Sequence, residues 1–215
     1  SLVGSEMCIR DRIHITGVGS YIPSHKEKNQ DFLAHTFLDD SGKPFGADNG
    51  DIIEKFKAIT GIEERRYAKP HQTASDLAFL AAEKAIEDAS LDPETLDYII
   101  VAHNFGDIQH GCIQTDILPS LATRVKHNLQ IKNPNCVAYD LIFGCPGWVE
   151  GVIQAKAFIK SGMAKRCLVI GADTLSRIAD QNDRDAMIFA DGAGATIIEE
   201  TKEAGGVLSH SSQTY

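Results

Sequence analysis

Strand-length apolar runs recur along this chain at YIIVA (98–102), VAYDLIF (137–143) and CLVIGA (167–172), with stretches of helical period between them. Runs this short and continuous fit strands covered on both faces, since a half-solvated strand alternates apolar and polar residues. Strands that alternate with amphipathic helices predict an α/β fold, a mixed β-sheet with helices on both faces. IHITGV at 13–18 reads as a further strand, ending in a turn at Gly19 and Pro23. Residues 29–50 suggest a short helix and a loop. Residues 51–59 suggest a helix with Ile52, Ile53, Phe56 and Ile59 on one side, closed by Gly61. A start signal at Thr73 precedes a helix in which Leu77, Leu80, Ala81, Ala85 and Ile86 recur at three- and four-residue intervals. Residues 112–129 read as a helix with a break near Pro119, and 146–161 as a helix rich in small residues. Near the end, Asp191-Gly192 predicts a hairpin-type turn, with 193–199 returning as part of an antiparallel edge.

Composition removes several classes of function. The 215 residues hold 21 Lys and Arg against 30 Asp and Glu, a net charge of −9 that argues against a nucleic-acid footprint. No apolar run approaches the roughly 18 residues of a membrane-spanning helix. Five cysteines without a CxxC pair suggest no disulfide framework and favour a reducing cytoplasm. Eight histidines show no HxxxH or HExxH spacing, so no metal site is expected. His103 and His110, seven apart, are placed in a loop without a ligand role. Residues 1–12 (SLVGSEMCIRDR) lack both periodicity and a secretory apolar stretch, and are read as a non-native leader or assembly scar. The native pattern is taken as 13–215.

Chemistry concentrates in YDLIFGCPGWVEG at 139–151. A buried strand runs into Gly144, Cys145 and Pro146, then a long helix whose first position suits proline. Cys145 therefore belongs at a strand-to-helix corner, at the positive end of a helix. Unpaired N–H groups there favour a thiolate and can hold an oxyanion, and the flanking glycines let a substrate carbonyl approach. The alternative is a small buried residue, because free cysteine is often buried. Cys112, Cys136 and Cys167 have no activating neighbour and are read as structural.

ITGVGSYIP (15–23), TGIEERR (60–66), AYDLIFGCPGW (138–148), KSGMAKRCLVIGAD (160–173) and DRDAMIFADGAGATI (183–197) occur in this order. Together they resemble β-ketoacyl-acyl-carrier-protein synthase III, a condensing enzyme of the thiolase-like superfamily. The resemblance implies a thiolase-like fold, of which 13–215 would be the N-terminal half of a domain truncated at its C-terminus. It implies that Cys145 accepts an acyl group from acyl-CoA or an acyl-carrier thioester, which malonyl-carrier protein then extends by decarboxylative Claisen condensation. No cofactor is implied beyond these thioester substrates. The family's supporting His and Asn lie in its C-terminal half, and no histidine here matches that His. A homodimer is implied.

By the same resemblance Arg184 and Lys55 are substrate-binding candidates, with Lys55 and Ile59 standing where the family carries a stacking Trp and an Arg. Leu118 stands where an aromatic reaches the partner's acyl pocket, and Trp148 follows the nucleophile. ADGAGA at 190–195 is read as a structural turn rather than a phosphate loop. Two other readings stand beside this one: a non-catalytic thiolase-like partner subunit, and a type III polyketide or hydroxymethylglutaryl-CoA synthase relative. Half of such a fold would leave an apolar face uncovered, so self-association is expected of it.

Overall fold

The computed structural model describes residues 13–203 and 205–213; the leader read at 1–12 lies outside the described residues. In chain order the elements are β1 (Ile13–Tyr21), β2 (His25–Lys28), α1 (Asn49–Thr60), β3 (Glu64–Tyr67), α2 (Ala74–Asp88), β4 (Tyr98–His103) and β5 (Asp107–Ile108). There follow β6 (Thr115–Asp116), α3 (Leu121–Asn128), β7 (Val137–Ile142), α4 (Gly147–Lys160), β8 (Arg166–Thr174) and β9 (Asp191–Glu200). The main sheet has the order β1-β9-β8-β4-β7. β4 runs parallel to both β7 and β8, while β9 is antiparallel to β8 and to β1.

The expected helix-covered mixed sheet is present, and the strand residues show why. Along β8, Leu168 and Ile170 pack on one face with α2 and α3, and Cys167 and Val169 on the other with α4. Both faces are dry, which is why the strand reads as one apolar run. From β4 the chain passes through α3 to β7, then through α4 to β8 on the far side of β4. The connecting helices lie on opposite faces, and the carboxyl ends of β4, β7 and β8 point the same way. That is the place where open α/β sheets build their sites.

Helix ends follow local chemistry. Thr73 and Asp76 form a capping box at the head of α2, with the Thr73 N–H donating to Asp76 Oδ2 at 2.8 Å. Gly61 closes α1 in the left-handed region at φ 72°. A second small core holds Phe32, Phe37, Ile52, Ile53 and Met187, joining α1 to the long excursion between β8 and β9. Arg65 ties it together: its buried guanidinium donates to Met187 O at 3.0 Å, Glu27 O at 3.2 Å and Asn29 Oδ1 at 2.6 Å. Burial holds the Arg65 pKa below the usual arginine range. Among the described residues, no helix is long and apolar enough to cross a membrane.

Several local expectations are corrected. β1 does not turn at Gly19 but continues to Tyr21. A side chain at Gly17 or Gly19 would strike the backbone of α2, so these glycines serve a close helix-on-strand approach rather than a turn. The helix expected over 112–129 is confined to Leu121–Asn128, because Pro119 cannot donate within a helix and Ser120 caps the new start. Ile59 fits the helical spacing of α1 yet is 74% exposed at its last turn.

Asp191-Gly192 is not a turn. Both residues pair with β8, opposite Thr174 and Asp173. The buried Asp191 carboxylate instead accepts the Ala68 N–H at 2.8 Å, the Ser176 N–H at 3.0 Å and the Ser176 hydroxyl at 2.7 Å. A structural role for this segment stands on those bonds, not on turn chemistry. β9 is also no edge, because β1 arrives from the far end of the sequence to cover it. The border strands are β1 and β7.

Candidate active site

β7 ends at Ile142, and Gly144 reverses the chain at φ 78°, a conformation open to glycine. The Gly147 N–H donates to Gly144 O at 3.0 Å, closing a turn that presents Cys145 at its tip. Pro146 is the N-cap of α4 rather than its first residue, one position earlier than expected, because this turn uses it before the helix begins. Cys145 is exposed, not packed in the core. Its corner adjoins the first turn of a 14-residue helix, where backbone N–H groups lack intrahelical partners. A cavity of about 310 Å³ opens beside it, lined by Gly144, Cys145, Trp148, Asp173, Gly192 and Gly194 among others.

The other thiols differ. Cys136 and Cys167 are buried, and burial pushes both thiols up, Cys167 to about 12. Cys112 is exposed on the loop before β6. Trp148 lines the cysteine cavity, and its ring N–H donates to Thr196 Oγ1 at 3.3 Å, so the indole is anchored to β9.

Two polar residues escaped the sequence reading. Asp173, near the end of β8, lines the cysteine cavity, and burial raises its carboxyl above the usual aspartate range. Asn104, just past β4, donates its N–H to Asp173 Oδ1 at 2.9 Å and its side-chain amide to Oδ2 at 2.7 Å. The available signal was a polar residue next to a buried strand end.

His103 is not in a loop; it closes β4 and is buried. Its Nδ1 accepts the Gly106 N–H at 2.9 Å, which leaves Nε2–H to donate to Asp140 Oδ2 at 3.0 Å. Asp140 also accepts the Leu121 and Ala122 N–H groups at 2.7 and 2.8 Å at the head of α3. This histidine is fully occupied with structure. His110 is exposed in its loop.

Lys55 and Arg184 come together away from the sheet. Both line a cavity of about 370 Å³ with Phe45, Phe56, Ile59 and Met187. The Arg184 guanidinium sits over the Phe45 ring, 4.7 Å from its centroid. Leu118 joins neither cavity and is 81% exposed.

The family profile described as 3-oxoacyl-[acyl-carrier-protein (ACP)] synthase III matches residues 139–215, which include the cysteine corner. The β-ketoacyl-[acyl-carrier-protein] synthase III 1 of Vibrio parahaemolyticus is 40% identical over 197 residues, 91% of this chain and 55% of that protein. Over the stretch they share, this chain is similar to the synthase III proteins. A synthase III from Caldanaerobacter subterraneus is 38% identical over 203 residues, 94% of this chain and 54% of its own. Among solved structures, synthase III from Aquifex aeolicus superposes with a TM-score of 0.71 at 33% identity, covering 89% of this chain and 55% of that one. The priming β-ketosynthase of the R1128 polyketide pathway gives 0.70 at 26% identity, over 90% of this chain and 51% of its own. The fold is thus that of the thiolase-like synthases. The chain spans about half the length of the synthase III relatives it matches.

Proposed function

We propose that this chain carries the nucleophile-bearing half of a synthase III-type condensing enzyme acting in fatty-acid or related polyketide biosynthesis. The observation that carries the reading is the exposed Cys145 at the head of α4, with a cavity beside it. The Cys145 thiolate attacks the carbonyl of an acyl-CoA or acyl-carrier thioester. A new C–S bond forms to Cys145, and the donor's sulfur leaves as a thiol once protonated. Malonyl-carrier protein then loses CO2, its carbanion attacks the acyl carbon, and the cysteine sulfur departs. Splitting the reaction through a covalent thioester replaces one difficult step with two easier ones. By the resemblance, the decarboxylating His and Asn are supplied from outside this stretch.

Lys55 and Arg184 meet the phosphates of the donor in the second cavity, and Trp148 flanks its acyl end. The thioesters are substrates, and the reading needs no cofactor. A homodimer forms along β7, a border strand with Val137 and Ile142 exposed, and Leu118 reaches toward the second copy. The setting is the reducing cytoplasm.

Intact mass spectrometry tests the central step in a protein extended to the relatives' full length. Incubation with acyl-CoA and acyl-carrier thioesters adds one acyl mass, and Cys145→Ala abolishes it. No adduct with either donor class would overturn the reading.

A further inference from the structure

The five residues after the core of β4, His103 to Asp107, send polar bonds to four separate elements. His103 reaches Asp140 on β7, and through it the head of α3. Asp107 accepts the Ser75 N–H at 2.7 Å and its hydroxyl at 2.6 Å at the start of α2, and Arg124 Nη1 at 2.7 Å from α3. Asn104 reaches Asp173 on β8 through both its backbone and side-chain N–H groups. Of these residues Asn104 faces the cysteine corner. A Cβ built on Gly144 would have Asn104 Oδ1 as its nearest neighbour, at 3.6 Å.

We propose that Asn104, clamped by the Asp173 carboxylate, is a positioning residue that holds the Gly144–Cys145 corner against the carboxyl ends of the parallel strands. The geometry is two-sided. Asp173 accepts the Asn104 backbone N–H on one carboxylate oxygen and its side-chain amide on the other, which leaves the amide oxygen on the side of Gly144. The base of the corner is fixed by its own turn and by buried Gly147, whereas Cys145 and Pro146 at its tip are exposed. The carboxylate that does the fixing lines the cysteine cavity itself, so the clamp and the sulfur share one space. Burial raises the Asp173 pKa while the two Asn104 bonds lower it, consistent with a carboxylate dependent on this partner. The functional meaning of the clamp rests on the reading of Cys145 as a nucleophile; its existence does not.

The test is brief iodoacetamide labelling of the 215-residue chain, with peptide-resolved mass spectrometry. The readout is the labelling rate of Cys145 relative to exposed Cys112, with buried Cys136 and Cys167 reporting any loss of fold. Asn104→Asp sets two carboxylates against each other, and the ratio is expected to fall about tenfold; Asn104→Ala, which only loosens the corner, lowers it about threefold. The exchange Asn104→Asp with Asp173→Asn restores a donor facing an acceptor, and returns the ratio to within about twofold of the native value. A ratio that holds or rises in both folded single variants overturns the proposal. So does an exchange variant whose Cys145 stays unlike the native one, folded or not. Iodoacetamide needs no acyl donor. A Cys145 that alkylates under this control yet never carries an acyl group would sink the condensing-enzyme reading and leave the clamp standing.

Discussion

The cysteine corner and the Lys55–Arg184 cavity are both concave and both hold residues the sequence singled out, but they are made differently. The corner is one contiguous stretch, a strand, a glycine reversal and a helix, docked where parallel strands end. The cavity is assembled from Phe45 on a loop, Lys55 on α1 and Arg184 on the excursion between β8 and β9. The corner leaves a partly exposed border strand, β7, and takes its rigidity from the docking of α4 on the buried strands β4 and β8. The cavity depends on a small satellite core and one buried arginine. On the proposed function, the site that must fix a reacting atom would sit on the stiff part, and the site that grips a flexible donor on the adaptable part.

That contrast can be broken by substitution. The largest effect belongs to Gly147→Val: a Cβ there meets Ala102 Cβ at 2.9 Å, so α4 must lift off β4. A loss of about 2–3 kcal/mol in urea unfolding is expected, with slower Cys145 alkylation. If Cys145 reactivity survives, the corner is not held by the sheet. Next is Arg65→Met, which strands the acceptors at Met187, Asn29 and Glu27 and costs about 2 kcal/mol. Hydrogen exchange should rise across α1 while Cys145 alkylation is unchanged, and a change at Cys145 would join the two regions into one unit.

Smaller effects sharpen the comparison. Lys55→Ala and Arg184→Ala each remove one exposed charge from the cavity, and in a full-length protein each raises KM for a CoA donor about two- to fivefold with kcat unchanged. A fall in kcat instead would place them at the chemistry. The smallest effect is a pH dependence at Asp173. Burial raises this carboxyl, so the folded chain keeps its proton at pH values where the unfolded chain has released it. The folded state then binds more protons, and stability falls as pH rises from the ordinary aspartate range through the raised value. Denaturation measured across that window should show a shallower fall in Asp173→Asn.

How much was legible follows the same division. The order of strands and helices, the caps of α1 and α2 and the exposed cysteine at its corner all depend on neighbours within a few residues, and periodicity and turn chemistry report those. The position of β9 between β8 and β1 could not be read, because its partner β1 lies at the other end of the chain. Asp191-Gly192 misled for that reason: a pair that locally suits a turn is held in a strand by Ala68 and Ser176. Asn104 and Asp173 were missed because a single polar residue after an apolar run looks the same whether it meets water or a partner 69 positions away. Lys55 and Arg184 were found through resemblance, and nothing in their spacing announced a shared cavity.

The seam between β1 and α2 has one more consequence. Gly17 and Gly19 lie against Ala81, Ala85 and Ala89 with no room for another carbon on the strand side. In a saturation library this seam should read as two depleted tracks in step with each other, positions 17 and 19 answering 81, 85 and 89. Drift on either track would be blocked unless the backbones parted first.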